Sequence, residues 1–171
     1  MSESAQPVAV DGPASFATSF PPSVSLVGAV RRFVFTFYTR IIGDRDHSSL
    51  LALATHELVE NAVAYCAGGE VTVRVTVAPA GSGHLVRVRT RNAASPEDIA
   101  KLERIIEQLR ATEDPVGFFR ERMRQTIREA TGSGLGLPRI RAEAGLELEC
   151  FVIGGDVELI AQTVLTTKAD S

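Results

Sequence analysis

Two segments of the chain are each divided by a glycine turn, and the first of them alternates between apolar and polar residues on both sides of its turn. The first covers residues 71–90 with a turn at residues 80–83, and the second covers residues 146–165 with a turn at residues 154–156. A period of two is typical of strands that bury one face, and short glycine turns favour hairpins. The chain is therefore predicted to contain two antiparallel strand pairs, which excludes an all-helical fold.

Helical periodicity surrounds both strand pairs. Apolar residues recur at three- and four-residue steps in the predicted helices, which cover residues 23–42, 46–66, 96–111, 115–130 and 137–144. A short edge strand is expected at residues 15–20. This order of elements predicts an α+β fold. We expect a two-layer α/β sandwich, in which helices cover one face of a mixed, mainly antiparallel sheet.

Length and composition fit a single domain. The 171 residues are 44% hydrophobic and 23% charged, which is enough for one sizeable core and too little for two. We expect this domain at residues 15–166, between a flexible N-terminal tail at residues 1–14 and a C-terminal tail at residues 167–171. The N-terminal residues lack the basic region and apolar run of a secretory signal, so none is expected.

Charge and cysteine content exclude several classes of function. A net charge of -3 disfavours non-specific nucleic-acid binding, which relies on a basic surplus. Cys66 and Cys150 lie far apart and match no metal spacing, so a disulfide scaffold or a zinc module is not expected. The most apolar stretch, residues 24–42, contains three arginines and is not expected to enter a membrane. We therefore expect a cytoplasmic protein.

The second predicted helix, with Asp46 or Ser48 as its cap, carries Glu57 and Asn61 four residues apart. Residues at this spacing share a helix face, and here that face is also the apolar one. One interpretation is that the pair faces a ligand, because an amide oxygen can bind Mg²⁺ and a carboxylate can accept a proton or order a water. The alternative is a solvated helix edge.

A glycine-rich loop, Thr131-Gly132-Ser133-Gly134-Leu135-Gly136-Leu137, leads into the last predicted helix. Glycines allow backbone N–H groups to approach phosphate oxygens, and the N-terminus of a helix attracts anions. Turns also use glycine, so the loop alone does not distinguish a phosphate site from a turn. It lacks the Gly-Lys-Ser/Thr of the P-loop and does not follow a strand as a dinucleotide fingerprint does.

Together the two features resemble the GHKL superfamily of histidine-kinase-like and Hsp90-like ATPases, also called the Bergerat fold. The shared pattern is Glu57-x-x-x-Asn61, then a strand pair, then Gly-x-Gly-Leu-Gly-Leu. Upstream, Val27-Gly-Ala-Val-Arg-Arg-Phe-Val and the helix that contains Glu57 look like the opening of bacterial anti-sigma-factor serine kinases. The resemblance spans residues 16–165.

The resemblance implies a role for each motif. Asn61 would bind the Mg²⁺ that bridges the ATP phosphates, and Glu57 would be the catalytic base or would orient a water. The glycine loop would close over the phosphates of the nucleotide through Gly132, Ser133, Gly134, Leu135 and Gly136.

The adenine-binding box of the family, Asp-x-Gly-x-Gly, is altered in this chain. By position Asn92 replaces the aspartate, and Ala94 and Pro96 replace the glycines. Asn92 still offers an acceptor oxygen for the adenine amino group, so nucleotide binding through Asn92 is expected, although the backbone path differs from that of the family.

A helical insert at residues 95–131 separates the altered box from the glycine loop, where many relatives have a flexible lid. Its second helix is expected to place an apolar stripe on one side, formed by Val116, Phe119, Met123 and Ile127. The same helix interleaves two glutamates with Arg120, Arg122, Arg124 and Arg128. These arginines either meet a phosphate or an acidic partner, or form a solvated helix face.

The resemblance implies an ATP-binding regulatory protein, a serine/threonine kinase whose substrate is an anti-sigma antagonist of the STAS type, in a bacterial partner-switching pathway. The alternative is a GHKL-fold interaction module that has lost nucleotide binding and binds a sigma factor or another signalling partner. A plain ATPase is a third hypothesis. By analogy with relatives that pair through the first strand and helix, a homodimer is expected.

Overall fold

The computed structural model describes residues 12–129 and 134–166. Five strands and five helices occur within these ranges. In chain order they are β1 (Ala14–Phe20), α1 (Val24–Ile42), α2 (Arg45–Ala64), β2 (Val71–Ala80), β3 (Gly83–Ala93), α3 (Pro96–Ala111), α4 (Pro115–Glu129), α5 (Gly136–Glu143), β4 (Glu147–Ile153) and β5 (Asp156–Thr166). Each predicted helix and strand is thereby confirmed to within a few residues at its ends. Of the predicted tails, residues 1–11 and 167–171 lie outside the described residues, and Ala14 belongs to β1.

The strands form one sheet in the order β1-β2-β3-β5-β4. Every pairing between these strands is antiparallel. The predicted hairpins β2–β3 and β4–β5 are confirmed, and the long pairing of β3 with β5 joins them in the middle of the sheet. The helices pack on one face, so the predicted α+β two-layer sandwich is confirmed.

The core lies between the sheet and the helices. Alternate valines of β2, from Val71 to Val77, are buried against the helical layer, and Val86 and Val88 of β3 continue the same surface. The other face of these strands carries a row of arginines, of which Arg91 pairs with Asp156 at 2.8 Å. The period-two pattern therefore separates an apolar face from a charged one, as expected for a sheet covered on one side.

The start of α2 differs from the prediction. Asp44 is the N-cap, and its carboxylate accepts a hydrogen bond of 2.9 Å from the backbone N–H of His47. The predicted caps, Asp46 and Ser48, lie inside the helix, and Ser48 donates its hydroxyl hydrogen bond to the backbone carbonyl of Asp44. The left-handed Gly43, with a φ of 77°, ends α1 directly before this cap.

The predicted apolar side of α4 faces outward. Of its residues, Val116, Met123 and Ile127 are exposed. Phe118, on the other side of the helix, packs against the core instead. An amphipathic pattern indicates that a helix has two faces, but the contacts with neighbouring elements decide which face is covered.

Within residues 12–129 and 134–166, no helix is both long and apolar enough to cross a membrane.

Candidate functional site

A cavity of about 200 Å³ lies between the helical layer and the sheet, next to the C-terminal half of α2. Residues of α2, β3, α3, α4, the start of α5 and β5 form its walls. Most of its wall is apolar and includes Leu58, Ala62, Leu102, Ile105, Leu137 and Leu159. An apolar cleft with a few polar groups is the usual form of a small-molecule site.

Four of the residues predicted to bind a nucleotide line this cavity. They are Asn61 of α2, Asn92 of β3, and Gly134 and Gly136 at the start of α5. The fold thus brings together motifs that lie far apart in the sequence. Leu135 separates the two glycines and is the N-cap position of α5. The other two predicted loop residues, Gly132 and Ser133, lie outside the described residues.

The amide of Asn61 has an unpartnered donor. Its Nδ2 atom is buried and has no hydrogen-bond partner within the described parts of the chain. An unsatisfied buried polar group costs about 1–3 kcal/mol. Because the two ends of an amide side chain have the same shape, rotating it by 180° places Oδ1 at this position. Asn61 therefore offers either a donor or an acceptor to a group in the cavity.

Glu57 does not line this cavity. Its carboxylate pairs with Arg139 of α5, with 3.5 Å between Oε1 and the guanidinium nitrogen, and its side chain is only 16% exposed. It lines a much smaller cavity with Arg139. The pairing and the low exposure do not fit a solvated helix edge. The role of Glu57 as a base remains a prediction.

Gly136 allows the start of α5 to touch α2 at this point. A Cβ atom at position 136 would lie 2.7 Å from Oε2 of Glu57 and 3.4 Å from Nδ2 of Asn61. The first distance is shorter than a van der Waals contact, so any other residue here would displace the Glu57 carboxylate. Gly136 thus lets this backbone segment lie against both Glu57 and Asn61.

Two polar residues of β3, Thr90 and Asn92, are buried at the sheet side of the cavity. The Nδ2 atom of Asn92 donates hydrogen bonds to the backbone carbonyls of Ala93 at 3.0 Å and Tyr65 at 3.5 Å. Since the backbone takes both donors of this amide, its Oδ1 atom is the group available to accept a hydrogen bond from a ligand.

The segment that follows Asn92 forms regular structure. β3 continues to Ala93, Ser95 caps α3 by accepting a hydrogen bond of 3.1 Å from the N–H of Asp98, and Pro96 is the first helical residue. Serine as the cap and proline as the first residue are favourable at the start of a helix. Of the two positions that hold glycines in the resembled family, Ala94 directly precedes the cap of α3 and Pro96 begins the helix.

Two basic residues line the cavity: Lys101, which no sequence motif indicated, and Arg122, one of the four arginines noted in the sequence of α4. Lys101 of α3 pairs with Glu97 at 2.9 Å, and this contact raises the pKa of Lys101. Arg122 of α4 lies over the ring of Phe118, with 5.8 Å between guanidinium carbon and ring centroid. Its Nε atom is buried without a hydrogen-bond partner among the described residues. In the sequence Arg122 looks like Arg120, Arg124 and Arg128, all three of which are exposed in the structure.

Comparisons with known proteins show the fold. No protein-family model matches the chain, and no curated protein matches it. A chain in the crystal structure of the SiaB-SiaC complex from Pseudomonas aeruginosa superimposes with a TM-score of 0.63, at 16% sequence identity. The match covers 88% of this chain and 89% of that chain. The protein therefore shares the fold of that chain over nearly its full length.

Proposed function

We propose that the cavity binds ATP with Mg²⁺ and that the protein is a regulatory serine/threonine kinase for a signalling protein. The observation that carries this proposal is the convergence of Asn61, Asn92, Gly134 and Gly136 on one cavity. The similar Pseudomonas aeruginosa chain belongs to a complex of two proteins, which supports a protein partner here. An anti-sigma antagonist of the STAS type is the partner class that the sequence resemblance favours.

The residues at the cavity fit the parts of a nucleotide. Asn92 offers an acceptor for the adenine amino group, and the apolar wall beside it suits a flat ring. The backbone N–H groups at the start of α5 point along the helix axis, where they favour phosphate oxygens. Arg122, whose buried Nε atom has no partner in the described part of the chain, adds a positive charge on the side of α4.

The residues also fit a magnesium ion that is shared with phosphates. No cluster of three or more His, Cys, Asp or Glu side chains that could hold a metal occurs in the described ranges. Mg²⁺ in nucleotide sites takes only one or two protein ligands and completes its shell with phosphates and waters. The Oδ1 atom of Asn61 would be that protein ligand.

When bound, Mg·ATP supplies the γ-phosphoryl group for transfer to a serine or threonine hydroxyl of the partner. Glu57 would then accept the hydroxyl proton or orient the hydroxyl. Its carboxylate is held by Arg139 beside Gly136, so Arg139 would fix the direction in which Glu57 accepts the proton.

We expect the helical insert to move when a nucleotide binds. Its volume of about 200 Å³ is below the range of about 300–1,000 Å³ that is usual for small-molecule sites. Among the walls, α3 and α4 belong to the insert, and no side chain of α4 within the described residues is fully buried. We therefore expect α4 to move outward when a nucleotide enters.

Replacing Asn61 with alanine is expected to weaken the binding of Mg·ATP at least tenfold, about 1.4 kcal/mol, because the mutation removes the magnesium ligand. Isothermal titration calorimetry measures this difference. The matched control is Glu60→Ala, on the same helix with its side chain 57% exposed, which should bind Mg·ATP like the wild type. Absence of heat from the wild type up to ~1 mM nucleotide would disprove the proposal.

One observation favours the nucleotide-independent interaction module. The positions from Asn92 to Pro96 form the end of β3 and the start of α3, so they leave no flexible glycine segment to adapt to an adenine ring. Under this alternative, millimolar Mg·ATP should leave the melting temperature unchanged. A ligand that binds the folded state raises that temperature, so an increase that is lost in Asn61→Ala would exclude the alternative.

A further inference from the structure

The outward face of α4 is apolar. Val116, Met123 and Ile127 are large exposed side chains, and Ile127 is 74% exposed. Their spacing of seven and four residues places them in one line along the helix. Single exposed apolar residues are common on protein surfaces, but an aligned set on one helix is typical of an interaction site. We call these three residues the apolar stripe of α4.

A row of arginines lies along one side of this stripe. Arg120, Arg124 and Arg128 follow one another at four-residue steps and are all exposed. Arg124 pairs with Glu121 at 3.2 Å, a contact between two solvated side chains that contributes little to stability. With four arginines and two glutamates in its sequence, α4 is positively charged on a chain whose net charge is -3.

The opposite side of α4 faces the protein. Phe118 packs against the core and Arg122 lines the cavity, so α4 is attached through the side opposite to the stripe. On the stripe's other flank lie Phe119 and Thr126, which carry no charge. The surface therefore has an apolar centre and a basic row on one side only.

We propose that the apolar stripe and the row of Arg120, Arg124 and Arg128 bind an amphipathic helix of the signalling partner, whose apolar face is bordered by a row of acidic residues. Such helices bind through apolar residues at steps of three, four and seven, and complementary charges fix their orientation. This inference deepens the proposed signalling function and depends on it for the partner's role, although the docking itself requires no nucleotide.

Two other occupants fit the surface less well. A second copy of the chain would bring two basic rows near each other, and like charges across an interface oppose association. Helices that lie on anionic membranes carry cationic residues across a polar face, whereas one flank of this stripe is uncharged.

The test uses two synthetic helical peptides of about five turns (~18 residues) with identical leucine and isoleucine positions. One peptide has glutamates beside the apolar face, and the other has lysines at the same positions. Fluorescence anisotropy with the full chain, without nucleotide, is expected to show at least tenfold tighter binding of the acidic peptide. Ile127→Asp should weaken that binding at least tenfold, and the triple variant Arg120→Glu/Arg124→Glu/Arg128→Glu should reverse the preference.

The control variant is Val164→Asp, an exposed apolar position of β5, which should bind the acidic peptide like the wild type. Melting temperatures establish that each variant is folded. Equal affinity for the two peptides, or unchanged binding by Ile127→Asp, would overturn the inference. The inference would also be overturned if the wild type bound phosphatidylserine vesicles, or formed a dimer in analytical ultracentrifugation, and Ile127→Asp abolished that binding or that dimer.

A parallel titration with Mg·ATP separates this inference from the proposed function. If Ile127→Asp loses the acidic peptide and still binds Mg·ATP, the docking surface and the nucleotide site are distinct, as expected. If the wild type binds the acidic peptide and no Mg·ATP, the nucleotide proposal fails and the docking surface stands.

Discussion

Replacing Leu58 with alanine is expected to lower the free energy of unfolding by about 2–5 kcal/mol, the range for removing a buried leucine side chain. Leu58 is fully buried on α2, where it packs in the core and forms part of the cavity wall. The two methyl groups and the methine that are lost leave a space in the core, and their contacts with neighbouring side chains are lost. Urea denaturation of the two proteins measures the difference.

The same helix provides a matched control. Leu50→Ala removes the same atoms from a side chain that is 39% exposed, so we expect a smaller cost of about 1–1.5 kcal/mol. Equal losses in the two variants would show that α2 does not bury the face on which Leu58 lies. That result would also contradict the placement of Asn61, one turn further along the same side of the helix.

Raising the pH above 10 is expected to destabilise the protein through Tyr38. Burial raises the pKa of its hydroxyl, because the phenolate would lose its hydration. In the unfolded chain a tyrosine has a pKa of about 10. Above that pH the unfolded chain releases the proton while the folded protein keeps it. The contribution of Tyr38 to the free energy of unfolding is therefore fully present below pH ~10. It falls by up to ~1.4 kcal/mol for each further pH unit.

The hydrogen bonds around Tyr38 determine the direction in which its hydroxyl group donates. The hydroxyl of Thr55 donates to the backbone carbonyl of Leu51 at 2.8 Å, so the hydroxyl of Tyr38 donates to Thr55 Oγ1 at 3.0 Å. The control is Tyr38→Phe, which leaves the proton of Thr55 bonded to Leu51 and removes the ionisable group. Unfolding free energies measured from pH 9 to 11.5 should fall more steeply for the wild type. Parallel curves for the two proteins would refute the role of Tyr38.

The parts of the fold that local signals determine could be predicted from sequence. α3 begins at Pro96 and ends at Ala111 as predicted, since a serine cap and a proline fix its start and its apolar stripe is continuous. The hairpins followed from alternation and glycine turns. The side of α4 that packs could not be predicted, because both its faces contain apolar residues and the choice depends on contacts with α5 and the core.

The same distinction applies to the site. Asn61 and the glycines were recognisable as motifs, and they line one cavity in the structure. The contact between Glu57 and Arg139 joins residues 82 positions apart, and nothing local to either residue indicates it. The separation of Arg122 from its neighbouring arginines likewise follows from how α4 lies on the protein, since the four look alike in sequence.

The two sides of α4 have a thermodynamic consequence. One side carries Arg122 at the cavity, and the other carries Ile127 and the basic row. Because a helix moves as a rigid unit, a partner that binds only one position of α4 also selects the position of Arg122. Linkage then requires that the partner and the cavity's ligand change each other's affinity by the same factor. If both proposals hold, the coupling between the two sites would pass through this one helix, without any longer path through the domain.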